Sequence, residues 1–116
     1  MLQTIEAALK EVCEPVFYGA ANDLNNAALW NYIVFFRERT TRSASNKGFS
    51  DYFRVGIVHE NWVPAELIEA VIEKMEQISG MRLANEQIDF DYTVKPGTSA
   101  IVEVASLAFV RPRKRG

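Results

Sequence analysis

The sequence is short of the residues that build many functional sites. It has one cysteine, Cys13, and one histidine, His59, in 116 residues. A single cysteine excludes an internal disulfide and a multi-cysteine zinc site, and a single histidine leaves no pair to share a metal ion. No run of 18 apolar residues occurs, so no transmembrane helix is encoded. The start, Met1 to Glu6, lacks a basic stretch followed by an apolar core, so no secretion signal is expected. Charge of one sign is lacking too: 13 Lys and Arg against 15 Asp and Glu give a net −2, which argues against a dedicated nucleic-acid binder. Glycine-rich phosphate loops, nucleophile elbows and metal-spaced clusters are missing as well.

What is present is the composition of an ordinary globular domain, 48% hydrophobic and 24% charged. The length fits one domain, expected over residues 1–110, followed by a basic tail over 111–116. Leu2, Ile5, Leu9 and Val12 form one apolar stripe, which predicts a helix over 2–13 that stops at Glu14-Pro15. Val16 to Gly19 reads as a short strand and Ala20 to Ala28 as a loop. From Leu29 to Glu38 a strand places Trp30, Tyr32, Val34 and Phe36 on one face and Ile33, Phe35 and Arg37 on the other. Arg39 to Gly48 has no apolar period and reads as a long hairpin loop. A strand follows from Phe49 to Glu60. Pro64 opens a helix that runs to about Ser79 and ends at Gly80. A strand from Leu83 to Lys95, a Pro96-Gly97 turn and a last strand from Ile101 to Val110 complete the chain. The order α–β–β–β–α–β–β predicts an α+β domain: a mainly antiparallel sheet of four to five strands with two helices on one face.

Two features of this pattern point to partners. A sheet covered on one face should alternate apolar and polar, yet the strands at 29–38 and 101–110 are apolar on both faces. Ile33 and Phe35 are therefore expected to face away from the helices and to form an apolar interface with another subunit. Charge is also segregated. Between Glu60 and Asp91 eight acids face two bases, leaving −6, with Glu66, Glu69, Glu73 and Glu76 in one stripe along the second helix. Arg37, Arg39, Arg42 and Lys47 make the hairpin region basic, and Arg111, Arg113, Lys114 and Arg115 make the tail basic. A basic loop and tail beside an acidic helix suits head-to-tail docking between identical copies. The alternative is a small monomeric module that contacts nucleic-acid phosphates through the same basic residues.

Catalysis has little support. His59 and Glu60 are neighbours in a strand and point to opposite faces. Asp89 and Asp91 share a face, but a pair of carboxylates there reads as the exposed half of an amphipathic strand. No catalytic residue, cofactor or metal is expected.

The segments Trp30-Asn31-Tyr32-Ile33-Val34-Phe35-Phe36-Arg37, Asp51-Tyr52-Phe53-Arg54-Val55, His59-Glu60-Asn61 before Pro64, Asp91-Tyr92-Thr93-Val94-Lys95-Pro96 and Val102-Glu103 resemble small proteins from the head–tail region of long-tailed phages. The element order is similar to that of tail-terminator and tail-completion proteins, over about residues 1–110. The resemblance implies a structural virion protein at the head–tail junction, assembled in the bacterial host cytoplasm. It implies a homo-oligomeric ring, typically a hexamer, that meets the tail tube protein and head-completion proteins and touches no membrane. DNA would pass through its lumen without sequence-specific contact. The mobile hairpin loop of that family would correspond to Arg39–Gly48.

Overall fold

The computed structural model describes residues 1–20, 30–42, 48–84 and 87–114, with Lys114 described for its backbone alone. Among these residues the fold is α+β, with two helices and a six-stranded, mostly antiparallel sheet. In chain order the elements are α1 (Leu2–Lys10), β1 (Val16–Tyr18), β2 (Tyr32–Arg42), β3 (Gly48–Glu60), α2 (Ala65–Glu76), β4 (Arg82–Leu83), β5 (Asp89–Val94) and β6 (Ile101–Lys114). The sheet order is β1-β2-β3-β6-β4, and β5 also pairs with β6. The β1–β2 pair is parallel and the others are antiparallel.

Local signals explain most boundaries. α1 ends at Lys10, sooner than its apolar stripe, because the Leu9 carbonyl accepts from the N–H groups of Val12 and Cys13 in a closing turn ahead of Pro15. Pro64, in extended geometry, caps the start of α2. Gly80 leaves that region with φ +79°, where an L side chain is strained. Gly97 has φ +78°, and the Thr98 N–H donates to the Lys95 carbonyl at 3.1 Å, as a type II Pro-Gly turn requires. The segment expected to be one strand over 83–95 is an interrupted edge. Leu83 pairs with Phe109 and Asp89 with Ser106, so the edge carries more residues than the strand opposite and divides into β4 and β5.

Register decides which face is the core. Ile33, Ile57 and Ala105 lie in one row across the sheet, and Phe35, Val55 and Leu107 in the next. These residues are buried against Ile5 and Leu9 of α1 and Val71 and Met75 of α2. The expectation that Ile33 and Phe35 form an exposed apolar face is therefore overturned. They are 0% and 2% exposed, because their partners across the sheet lie under the helices. The opposite face carries the other alternation. Tyr32, Val34 and Phe36 are half-buried there, while Val58, Val102, Ala108 and Val110 are buried. Gly56 sits at the centre of that face. A Cβ on it would lie 3.2 Å from the Val34 Cγ1, so its lack of a side chain lets Val34 close over the backbone.

Basic segments read as a loop and a frayed tail prove to be strand. Arg39 to Arg42 belong to β2, and Gly48 opens β3. β6 continues through Arg111 to Lys114, pairing Asp51 with Arg111 and Phe49 with Arg113. Only 43–47 remains between the two strands, and it lies, with Lys47, outside the described residues; so do 115–116, with Arg115. The result is a long molecule. β3 spans about 40 Å at the usual strand rise, whereas α1 and α2 cover about 14 and 18 Å. The helices shield one part of the sheet, and the rest projects as a three-stranded arm. The dimensions agree: 51 × 25 × 22 Å, with a radius of gyration of 15.2 Å against about 13 Å for a compact chain of this length.

Because Phe35 is a core residue, Phe35→Ala is expected to cost about 3–5 kcal/mol in urea unfolding. A loss under about 0.5 kcal/mol would return it to the surface.

Candidate functional site

Among the described residues, three surfaces stand out: the arm, the outer side of α2, and the β5 edge.

The arm is built around a β-bulge. Arg37 pairs with Phe53 and Arg39 with Tyr52, so Glu38 is the extra residue. Because of the bulge, Arg39 stays on the side away from the helices, the side to which Glu38 points. There its carboxylate accepts from the Arg54 guanidinium at 2.7 and 3.0 Å, and Arg54 also donates to the Ser106 Oγ at 2.9 Å. Arg39 follows on the same side, its guanidinium 4.0 Å above the Tyr52 ring. On the helix side, Asp51 accepts from Thr40 Oγ1 at 2.8 Å and from Arg113 Nε at 2.6 Å, and Arg113 lies over the Phe49 ring at 4.7 Å. Arg111 donates to the Ser79 carbonyl at 2.9 Å, which ties the arm to the end of α2. The side chains of Arg37 and Arg42 are exposed and make no ion pair or hydrogen bond among the described residues.

The residues expected to form one basic surface are thus divided. Arg39 faces one side of the arm. Arg37, Arg111 and Arg113 line a groove of about 440 Å³ on the other, with Asp51 among them and Met1 and Gln3 of α1 at its wall. Arg42 shares that side by its pairing with Phe49. The arm stays cationic, since Glu38 is committed to Arg54 and Asp51 to Arg113.

The acidic stripe is where the helical spacing put it. Glu66, Glu69, Glu73 and Glu76 are all exposed on α2. Glu76 accepts from the Leu83 N–H at 3.2 Å, which holds β4 against the helix. Glu66 and Glu73, with Glu11 from the turn after α1, rim a groove of about 470 Å³ floored by Val12, Pro64, Leu67 and Ala70. Lys74 lies at one edge, 3.5 Å from the Glu11 carboxylate.

The third surface was not singled out from the sequence. Phe90, Tyr92 and Val94 of β5 share the helix-side face with Ala105, Glu103 and Ile101 of β6. Both helices stop short of them, and Trp62, Phe90, Tyr92, Val94 and Ile101 are exposed, Trp62 at 68%. One polar anchor organises the patch. Glu103, buried, accepts the Val63 N–H at 2.7 Å. It also takes a hydrogen bond from the Tyr92 hydroxyl, which raises that phenol above its ordinary value. The alternation of large apolar residues in β5 was visible; the short reach of the helices over it was not.

Other candidates are not brought together. Asp89 and Asp91 are exposed, and His59 Nδ1 lies 3.0 Å from the Glu60 carbonyl oxygen. Among the described residues no group of three or more His, Cys, Asp or Glu is placed to hold a metal, and no helix is long and apolar enough to cross a membrane. The Glu60 carboxylate instead meets Lys95 at 3.1 Å, with both side chains mostly shielded, and Lys95 stands 6.0 Å from the Trp30 ring.

No family model matches the chain, and no curated protein matches it. One solved structure aligns over 100% of this chain and 98% of its own, at 14% identity and a TM-score of 0.45, a likeness too distant to carry an argument.

Two ion pairs generate predictions. Burial pushes the Asp51 carboxyl up, but the hydrogen bonds from Arg113 and Thr40 and the charges of Arg113 and Arg111 pull it down further, so it lies below its ordinary value. The stability it contributes is present above the unfolded-state value and is lost as pH falls through the folded one. Asp51→Asn is expected to cost about 0.2–1 kcal/mol at neutral pH, and the gap to the wild type should close below about pH 4. A gap that stays constant into acid contradicts this. For the more shielded pair, Lys95→Met is expected to cost about 1–3 kcal/mol by stranding Glu60. Adding Glu60→Gln should recover part of that loss in a double-mutant cycle, and strict additivity would show that the two side chains do not interact.

Proposed function

We propose that this chain is a structural virion protein: a tail-terminator or tail-completion subunit that forms a ring, a hexamer, at the head–tail junction of a long-tailed phage. Its partners are its own copies, the tail tube protein and head-completion proteins, with DNA passing through the lumen. It assembles in the bacterial host cytoplasm and carries no catalytic role.

The observation that supports an assembly role is the β5 edge. Five large apolar side chains, Trp62, Phe90, Tyr92, Val94 and Ile101, are exposed together. Covering each is worth roughly 1.5–3 kcal/mol, and a patch of this kind marks an interaction surface. β5 pairs along one side only, with β6, among the described residues, so it also offers backbone donors and acceptors to a neighbour. The separation of a basic arm from an acidic helix adds a means of fixing register between copies. The specific station, at the head–tail junction, rests on the resemblance of the segments quoted above.

Native mass spectrometry of the purified protein, with capping of isolated tail tubes followed by electron microscopy, tests this reading. A single closed ring that binds tube ends is expected. A chain that stays monomeric at high concentration, with and without salt, and leaves tube ends free would sink it. Trp62→Asp with Val94→Lys should weaken assembly by about tenfold or more, with the monomer's melting temperature little changed because both residues are more than half exposed.

A further inference from the structure

Resting on the reading of this chain as a ring subunit, we infer that neighbouring copies are joined by the arm of one seated in the acidic groove between α2 and the turn after α1 of the next. The occupant is a second copy of this chain, entering with Arg42 and Arg39.

Charge complementarity carries the inference. The groove has an apolar floor, Val12 and Leu67 among its residues, and a rim of Glu11, Glu66 and Glu73 against one base, Lys74. That combination suits arginine, which lays an aliphatic stem on apolar surface and presents a planar fork to carboxylates. The arm supplies such side chains. Arg42 is exposed with no side-chain partner among the described residues, and Arg39, on the other side of the arm, is more than half exposed where it stacks on Tyr52 and meets the Glu38 carboxylate at 3.5 Å.

β3 starts at the arm tip with Gly48 and ends at Glu60, shortly before Pro64 at one wall of the groove. Its length puts about 40 Å between the tip and that wall, and α2 then runs back toward the arm, where Ser79 accepts from Arg111. Arg42, paired with Phe49, lies beyond the Arg111–Asp51 pair on the side away from Pro64, Arg39 faces away from the helices, and neither lines the groove of its own copy. Two copies related by a two-fold axis at either surface would meet like charge with like. A contact made from arm to groove in one direction only is heterologous, and it closes a ring when its rotation returns to the first copy.

The test is a charge swap, read by native mass spectrometry and analytical ultracentrifugation on the full chain. One variant carries Arg39→Glu and Arg42→Glu, and another carries Glu66→Lys and Glu73→Lys. All four positions are exposed, and circular dichroism confirms that each variant is folded. Each alone is expected to lose about a hundredfold or more in assembly, because its altered surface repels the unaltered one of the next copy. An equimolar mixture should assemble again into rings of alternating subunits, since acidic arm then meets basic groove and basic arm meets acidic groove. Wild-type rings with variants that assemble equally well alone would overturn the arm–groove contact while leaving the ring reading intact. So would variants that fail alone and are not rescued by mixing. An arm variant that assembles normally but loses salt-sensitive retention of duplex DNA shown by the wild type would also overturn it, in favour of a nucleic-acid contact. A wild-type chain that never assembles would instead remove the ring reading on which this inference rests.

Discussion

β3 and β6 are held together by an unbroken antiparallel ladder from Gly48↔Lys114 to Glu60↔Val102. Every other element takes its place from that ladder. β2 adds to the free side of β3, β4 and β5 add to the free side of β6, and the helices cover the face on which Ile57, Val55, Leu107 and Phe109 line up. The register leaves no freedom, because a slip of one residue would turn each of these side chains to the other face. The same ladder runs beyond the cover of the helices. There it is kept by polar links across strands: Thr40 to Asp51, Asp51 to Arg113, and arginines stacked on Phe49 and Tyr52. One pair of strands thus supports both a buried core and an exposed arm, by different chemistry along its length.

The two ends of the ladder have different characters. At the base, the chain turns at Asn61, whose N–H donates to the Ile101 carbonyl, and Glu103 anchors the approach to α2 through the Val63 N–H. Shielded contacts dominate this end, with Lys95 against Glu60 and the edge-on rings of Trp30, Tyr32 and Phe17 beside them. At the tip, cationic side chains outnumber their partners. A molecule divided in this way presents different chemistry to whatever meets each end, which is a useful property for a part that must join unlike neighbours.

Much of the core was legible in the sequence, for reasons that show where legibility ended. The stripe of Ile5 and Leu9, the alternation of Phe53, Val55 and Ile57 and the turn at Pro96-Gly97 are local signals, and each appears where its residues place it; α2, expected to run to Ser79 and stop at Gly80, ends already at Glu76 and Gly80 closes the turn that follows. The face chosen by Ile33 and Phe35 is not local. β2 is apolar on both sides, and only pairing with Ile57 and Val55 decides which side meets the helices. Arg39 to Arg42 and Arg111 to Lys114 read as loop and tail because they lack apolar alternation; their strands are maintained by backbone pairing and cross-strand ion pairs, which leave no hydrophobic period. The acidic stripe of α2 was visible because helical spacing is local. The apolar patch around Trp62 and Tyr92 was not, since it depends on how far two helices reach across a longer sheet.

The bulge at Glu38 constrains how the arm can vary in length. Ahead of it, odd-numbered residues of β2 face the helices; beyond it, even-numbered ones do, as the pairings of Thr40 with Asp51 and Arg42 with Phe49 show. Deleting Thr41 with the bulge kept would put Arg42 opposite Ser50 and so present it on the reverse side. Losing the extra residue of the bulge itself would instead leave Arg39 on Tyr52 and Thr40 on Asp51, because the pairings on either side of the bulge use consecutive residues of β3. The arm can therefore be shortened or extended without scrambling its two surfaces only in matched steps of two residues, or by giving up the one residue of the bulge.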